Sequence, residues 1–189
     1  MRRELPTLLA MVLLAGCAGN PAPGSAETGA AATVILVRHA ERASESDRDS
    51  PLSETGRRRA EALAEVLADA RVTGAVVTQR RRTQETAAPT LARAGVVSDT
   101  VLTTADEHPA AVAAAVRRLA AARPGGTVLV VGHSDTIAGI IGALGGPALK
   151  ELCAGEYERL FVLALRPGAA PALVRGRFGE ADPAGAHDC

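Results

Sequence analysis

Aromatic residues are scarce in this chain, which holds no tryptophan, one tyrosine and two phenylalanines among 189 residues. A hydrophobic core must therefore be built from valine, leucine, isoleucine and alanine. Because apolar residues make up 47% of the chain, they suffice for one domain of ordinary size. Net charge is absent as well, since 21 basic residues balance 21 acidic ones. A neutral chain gives no electrostatic reason to expect a nucleic-acid-binding protein.

Several catalytic signatures are missing too. The chain has neither a Gly-x-Ser-x-Gly nucleophile turn nor a phosphate-binding loop of the nucleoside triphosphatase type. No third ligand with suitable spacing accompanies His39 and His133, so a zinc site built on these two histidines is disfavoured. We therefore expect neither a metal nor another cofactor.

Long apolar runs are also lacking, and none is sufficient for an ordinary membrane-spanning helix. The chain begins with Arg2 and Arg3, continues with an apolar stretch over 8–14 and reaches "LAGC" at 14–17. A charged start, a short apolar region and small residues before a cleavage site are typical of a secretory signal. The four residues at 14–17 also resemble a bacterial lipobox.

We therefore predict a lipoprotein signal peptide over 1–16, a lipid anchor on Cys17 that holds the protein at a membrane, and a flexible linker over 17–32 rich in Pro, Gly, Ser and Ala. The alternative is an ordinary signal peptide with a chance cysteine. With this anchor, the expected location is the cell envelope. Because Ala18 rather than Asp follows the cysteine, the expected location in a Gram-negative cell is the outer membrane, facing the periplasm.

Two other cysteines, Cys153 and Cys189, could form a disulfide outside the cytoplasm, although their spacing does not show whether they meet. Neither lies in a CxxC or metal-ligand pattern. We place the folded domain at 33–180 and expect a tail at 181–189, with Cys189 at its frayed end and His187 without a role.

Apolar runs at 33–37, 74–78 and 127–131 predict buried strands, with a minor strand within 96–102 and two final strands within 159–165 and 171–178. Between them lie four helical patterns: one capped by Ser53 with Leu63, Val66, Leu67 and Ala70 on one face, one bent or interrupted at Pro89, one with Pro109 in its first turn, and one after His133. The alternation predicts an α/β three-layer sandwich, with a mostly parallel central sheet and helices on both faces.

Four residues suited to anion chemistry follow predicted strands: Arg38 and His39 after the first, Arg82 after the second and His133 after a later one. Ligands of such sheets bind at the carboxyl ends of the strands, so we expect these side chains at one rim. Phosphoryl transfer depends on positioning and charge stabilisation. Imidazole can act as its nucleophile, and guanidinium groups grip phosphate oxygens in pairs.

Five segments, in this order, resemble the histidine phosphatase superfamily, also called the phosphoglycerate mutase-like family: "VRHAE", "PLSETGRRRAEALAEVL", "TQRRRTQETAAPTL", "VLVVGHSDTI" and "EYERLFVLAL". The likeness extends from about residue 34 to residue 178 and implies a phosphoglycerate mutase-like fold. It implies that His39 is the nucleophile that becomes phosphohistidine, that Arg38 and Arg82 bind the phosphate, and that His133 holds the phosphoryl oxygens in the transition state. Ala40 stands where the family commonly has glycine, and Glu85 where glutamine is usual.

The general acid is the open point of this assignment. The resemblance implies an acid between the arginine segment and the second histidine, and we predict Glu107. Asp106, Glu41 and Asp135 are the alternatives, and an exposed helix-start carboxylate is the simpler interpretation of Glu107 itself. His108 is expected to cap a helix or face solvent.

The function expected from these residues is metal-independent hydrolysis of a small phosphorylated substrate, a phosphomonoester, through a phosphohistidine on His39. One alternative is an envelope lipoprotein that binds phosphorylated ligands with little or no turnover. Another is a phosphohistidine-protein phosphatase, which is hard to reconcile with export from the cytoplasm.

Overall fold

The computed structural model describes residues 31–104 and 107–189. The predicted signal peptide, the lipid anchor on Cys17 and nearly all of the linker lie outside the described residues, as does Asp106. None of the described helices has the length and apolarity required to cross a lipid bilayer.

Six strands and four helices alternate along the chain. In chain order they are β1 (Ala32–Arg38), α1 (Glu54–Val66), β2 (Val72–Val77), α2 (Arg81–Ala94), β3 (Ser98–Thr100), α3 (His108–Ala122), β4 (Thr127–Gly132), α4 (Ile137–Ala143), β5 (Arg159–Arg166) and β6 (Ala169–Arg177). They form one sheet in the order β3-β2-β4-β1-β5-β6. The first four strands of this order are parallel, and β5 and β6 are added antiparallel at one side.

The central strands are buried on both faces, and alternate residues enter two separate cores. Val34 and Leu36 of β1 pack with α3 and α4, whereas Ile35 and Val37 pack with α1 and α2. The sheet is thus the middle of three layers. This confirms the predicted α/β sandwich with helices on both faces of a mostly parallel sheet.

Local signals explain where α1 begins. Ser53 caps the helix by accepting a hydrogen bond from the backbone N–H of Gly56 at 3.0 Å. A side chain at position 56 would collide with the backbone carbonyl of Glu41, and this close approach accounts for glycine at a position where a capping box would have an acid. On the predicted apolar face, Leu63 and Leu67 are buried, but Val66 is 55% exposed, so its assignment to that face was wrong.

Helix α2 is not interrupted at Pro89, which lies inside it. The residues around the proline that face the protein interior, Thr86, Ala87 and Thr90, are buried. Their packing holds the chain in the helix and offsets the one backbone hydrogen bond that proline cannot make.

The last nine residues pack against the domain, which corrects the expectation that Cys189 lies at a frayed end. Cys153 and Cys189 form a disulfide with 5.6 Å between their Cα atoms. The Asp182 carboxylate is fully buried and accepts hydrogen bonds from the backbone N–H groups of Tyr157 and Glu158 at 3.0–3.2 Å. The C-terminal segment therefore fastens the connection that leads into β5.

Candidate active site

The two histidines lie side by side because β1 and β4 are parallel neighbours. Arg38 is paired with Gly132 at the carboxyl ends of these strands, and the backbone N–H of His39 donates to the carbonyl of Gly132 at 2.9 Å. The ring centroids of His39 and His133 are 5.3 Å apart. Strand β2 adjoins β4 on its other side, and this places the start of α2, with Arg82, at the same rim.

A cleft of about 420 Å³ opens at this rim. Its lining residues are Arg38, His39, Arg42, Arg80, Arg82, Thr103, His133, Ser134, Asp135 and Thr136. The structure thus brings all four predicted anion-binding and histidine residues into one cavity, which the sequence could suggest only from the order of the strands.

His39 is held as a neutral imidazole with one nitrogen available for attack. Its Nδ1 lies 2.8 Å from the carbonyl oxygen of Ala40, an acceptor only, so Nδ1 carries the proton and Nε2 keeps its lone pair. Burial lowers the pKa of His39 to about 2, and the nearby charge of Arg38 acts in the same direction. A neutral imidazole with Nε2 unprotonated is the form in which histidine can act as a nucleophile.

His133 is fixed from both sides. A guanidinium nitrogen of Arg82 lies 3.4 Å from Nδ1, which must accept because guanidinium only donates, and Nε2 lies 3.2 Å from the hydroxyl oxygen of Thr78. Burial lowers the pKa of His133 to about 4, with Arg82 as the next cause. The negative charge of a bound anion would oppose the effect of Arg82 and raise the pKa of His133, so protonation of His133 becomes easier when phosphate enters.

Arg38 is positioned by the segment that follows α4. Its Nη1 donates to the carbonyl oxygens of Cys153, Ala154 and Glu156 at 2.7–3.1 Å. Its guanidinium carbon lies 3.9 Å from the ring centroid of Tyr157, which is a cation–π contact. Nε of Arg38 is buried without a partner among the described residues, so the guanidinium keeps donor capacity for a ligand.

Of the three consecutive arginines at 80–82, Arg82 is the one in contact with His133. It also donates to the carbonyl of Arg48 at 3.0 Å, and its buried Nε has no partner within the described part of the chain. Arg80 lines the cleft, whereas Arg81 is exposed and pairs with Glu85 at 3.2 Å. Of these three arginines, Arg82 is therefore the one that the structure places against His133.

The acid candidates occupy very different positions. Glu107 is exposed at the N-cap of α3, makes no capping hydrogen bond and does not line the cleft. Glu41 is engaged with Arg59 through hydrogen bonds of 2.8–3.0 Å. Asp135 does line the cleft. The geometry thus favours Asp135 over the predicted Glu107 as the general acid. Glu107 stays a prediction, and Asp106 lies outside the described residues.

Two threonines whose supporting role was not predicted hold the histidine segments in place. Thr86 accepts from the backbone N–H of Ala40 at 2.9 Å, and Thr136 accepts from that of His133 at 2.9 Å. Thr86 and Thr136 lie four and three residues after Arg82 and His133. Thr86 belongs to the Thr-Ala pair that follows the arginine in the family pattern, but no supporting role was predicted for either threonine. Ala40 itself does not have a positive φ, so a methyl group is tolerated where glycine is common.

Two further residues were also missed or misplaced. Arg42 lines the cleft only three residues after His39, and that short distance in sequence is a signal that could have found it. His108 was expected to cap a helix or to face solvent, and the second alternative is wrong. It is buried, with Nδ1 2.8 Å from the carbonyl of Leu102, because the first turn of α3 packs inward.

One cluster among the described residues has donor atoms close enough for a metal ion: Glu158, Asp182 and His187. It contains none of the cleft residues. Its carboxylates already bind Arg177, Arg59 and backbone N–H groups, so the cluster is accounted for as a structural network around the C-terminal segment.

Comparisons with known proteins agree with this fold. A mycobacterial glucosyl-3-phosphoglycerate phosphatase is 22% identical, with a TM-score of 0.58, over 71% of this chain and 90% of that one. A phosphoglycerate mutase from Bacillus anthracis is 16% identical, with a TM-score of 0.59, over 79% of this chain and 93% of that one. A protein assigned as phosphohistidine phosphatase SixA, from Nakamurella multipartitia, is 24% identical, with a TM-score of 0.52, over 80% of this chain and 99% of that one. At these identities the likeness establishes the fold alone.

No curated protein is significantly similar to the chain in sequence. Residues 34–107 match the family model described as histidine phosphatase superfamily (branch 1). They include most of β1, all of α1 and α2, and the predicted site residues Arg38, His39, Arg82 and Glu107. His133 and the strands β4, β5 and β6 lie outside the matched segment. Residues 34–107 are thus similar to the histidine phosphatase superfamily, and the solved structures agree with a phosphoglycerate mutase-like fold.

Proposed function

We propose that this protein is a metal-independent phosphomonoester hydrolase that works through a phosphohistidine on His39. The observation that carries the proposal is the convergence of a neutral, buried His39 with Arg38, Arg82 and His133 in one cleft. Such a site can hold a tetrahedral dianion against a nucleophile whose attacking nitrogen needs no deprotonation.

In the first step, Nε2 of His39 attacks phosphorus in line with the leaving oxygen. The N–P bond forms, the P–O bond to the leaving group breaks, and the departing oxygen takes a proton from an acid. Guanidinium groups of Arg38 and Arg82 bind the non-transferred oxygens, and His133, protonated in the presence of the dianion, donates to them. We assign the acid role to Asp135, because it is the described carboxylate that lines the cleft.

In the second step, water attacks phosphorus of the phosphohistidine from the side that the leaving group has vacated. The P–N bond breaks, inorganic phosphate is released and His39 returns to its neutral form. The carboxylate that gave its proton in the first step is then available to accept one from the attacking water, a contribution of about 10²–10⁴-fold for such a group.

Hydrolysis of 4-nitrophenyl phosphate in a chelator, by wild type and His39→Ala, tests the proposal. We expect phosphate release by the wild type and none above background by the variant. Equal rates would refute the role of His39. Tight phosphate binding by both proteins without hydrolysis would instead support the alternative, an envelope protein that binds phosphorylated ligands.

We also propose that the mature protein is a lipoprotein of the cell envelope, anchored through Cys17. The charged start, the short apolar stretch and "LAGC" support this, and a disulfide between Cys153 and Cys189 is compatible with an oxidising compartment. Incorporation of radiolabelled palmitate by wild type and its loss in Cys17→Ala is the expected result. Labelling that survives the substitution would refute the anchor.

A further inference from the structure

Two arginines are buried in the described part of the chain, Arg38 and Arg59, and their surroundings differ. Arg59 is neutralised by carboxylates, since its Nη2 lies 2.8 Å from Glu41 and 3.5 Å from Asp182. Arg38 forms no ion pair with any carboxylate that the structure describes. Instead, three backbone carbonyl groups bind its Nη1 and the ring of Tyr157 covers its guanidinium. Because a buried cation without a counter-ion is costly, another group must stabilise Arg38.

The ring of Tyr157 can stabilise Arg38 without occupying its hydrogen-bond donors. Burial lowers the pKa of Arg38, which shows that its cation is less well stabilised here than in water. The electron-rich face of an aromatic ring attracts a cation, and at 3.9 Å from the ring centroid the guanidinium carbon is in contact with that face. A carboxylate would instead bind paired N–H groups of the guanidinium and compete there with a phosphate dianion.

The C-terminal segment holds Tyr157 in this place. The backbone N–H of Tyr157 donates to both oxygens of the Asp182 carboxylate, at 3.0 and 3.1 Å, and the Asp182 side chain is fully buried. The carbonyl groups of Ala154 and Glu156, just before Tyr157, bind Nη1 of Arg38 at 2.7 and 3.0 Å. One short segment therefore fixes a corner of the guanidinium and covers its face, and these two contacts together set the tilt of its plane.

We propose that Tyr157 is a positioning residue whose aromatic face fixes the plane of the Arg38 guanidinium and takes the place of a carboxylate counter-ion, so that Arg38 keeps its full charge for a phosphoryl group. This inference rests on the proposed function only in that phosphate binds at Arg38. Tyr157 takes no part in the bond-making steps. Its effect depends on the ring and not on the hydroxyl group, since the ring is what covers the guanidinium.

Two variants at position 157 separate the ring from the hydroxyl group. Tyr157→Phe keeps the aromatic face, and its affinity for inorganic phosphate in calorimetry should stay within about twofold of the wild type. Tyr157→Leu keeps an apolar side chain but loses the aromatic face. Its affinity should be lower by about tenfold, as expected for a desolvated cation–π contact, and kcat/KM for 4-nitrophenyl phosphate should fall by a similar factor. Wild-type affinity in Tyr157→Leu would overturn the proposal, and so would an equal loss in Tyr157→Phe.

Phe178→Leu is the matched control. The ring of Phe178 is buried and lies 5.9 Å from the guanidinium carbon of Arg59, the buried arginine that has carboxylate partners and does not line the cleft. The same loss of aromatic packing should lower the free energy of unfolding in urea but leave phosphate affinity within about twofold. A tenfold loss of phosphate affinity in Phe178→Leu would overturn a specific role of Tyr157, because any loss of aromatic packing would then disturb the cleft.

Phosphate binding keeps this test separate from the proposed function. If the wild type hydrolyses no ester, but Tyr157→Leu binds phosphate more weakly than Tyr157→Phe, the hydrolase assignment fails while the role of Tyr157 stands. Absence of phosphate binding by the wild type would overturn both.

Tyrosine fluorescence of the wild type supplies a second measurement, which holds even if Tyr157→Leu does not fold. The chain has one tyrosine and no tryptophan, so this emission comes from Tyr157. Inorganic phosphate should change the emission intensity, because the bound dianion alters the charge beside the ring, and the change should saturate with the dissociation constant found by calorimetry. Constant emission at saturating phosphate would overturn the proposal.

Discussion

Removal of the Cys153–Cys189 disulfide should destabilise the protein strongly. The two cysteines are separated by 36 positions, and closing a loop of this size lowers the entropy of the unfolded chain by about 13 cal/mol/K, or about 4 kcal/mol at 25 °C. The disulfide also joins the C-terminal segment to the loop whose carbonyl groups hold Arg38. The double variant Cys153→Ser with Cys189→Ser is therefore expected to lose both stability and affinity for phosphate.

Urea unfolding of the full chain, followed by circular dichroism, measures the first effect. The wild type without reductant should be more stable than the double variant by about 3–4 kcal/mol, and reductant should bring the wild type close to the variant. The double variant in reductant is the matched control and should not change. A difference below about 1 kcal/mol would refute the conclusion that the disulfide fastens the C-terminal segment to the domain.

Three further predictions concern the cleft. Between pH 6.5 and pH 4 the unfolded state binds protons at His39 and His133 that the folded state excludes, so the free energy of unfolding decreases as the pH is lowered. For His39→Gln, the free energy of unfolding measured in urea at pH 5–6 should decrease by about 1.4 kcal/mol less per pH unit than for the wild type. An unchanged slope would contradict the lowered pKa of His39. Asp135→Asn should slow hydrolysis of alkyl phosphates about 10²-fold and that of 4-nitrophenyl phosphate much less, because a good leaving group needs no acid. Glu107→Gln should keep the hydrolysis rate of both substrates within about twofold of the wild type. The reverse pattern would restore Glu107 as the acid. Arg38→Lys should lower kcat/KM about 10²-fold, since one ammonium cannot serve both the loop carbonyls and the phosphate; near-normal activity would show that Arg38 does not touch the substrate.

The fold was predictable from the sequence because its strands are short apolar runs and its helices have clear apolar faces. The run at 127–131 lies within β4, and Ser53 caps α1 as predicted. Position 89 shows the limit of local rules: proline disfavours a helix interior, but burial of the surrounding face outweighs that cost. Val66 shows the same limit, because one residue at the end of a helix can fall on either side of its apolar face.

The candidate site was predictable in its histidines and two arginines, since each follows a strand whose carboxyl end must lie at the same rim. The acid was not. Glu107 lies in the expected region of the sequence, yet which carboxylate enters the cleft depends on how the connections fold. The disulfide was equally open, because spacing alone does not show that the end of the chain returns to the loop beside Arg38.

A covalent intermediate on His39 is the central claim of this account. Brief exposure of the protein to a ³²P-labelled phosphomonoester, rapid quenching in alkali and peptide mapping would test it most directly. We predict acid-labile, alkali-stable label on the peptide that contains His39, and none in His39→Ala. Steady hydrolysis by the wild type with label on another residue, or with the same turnover in His39→Ala, would contradict it.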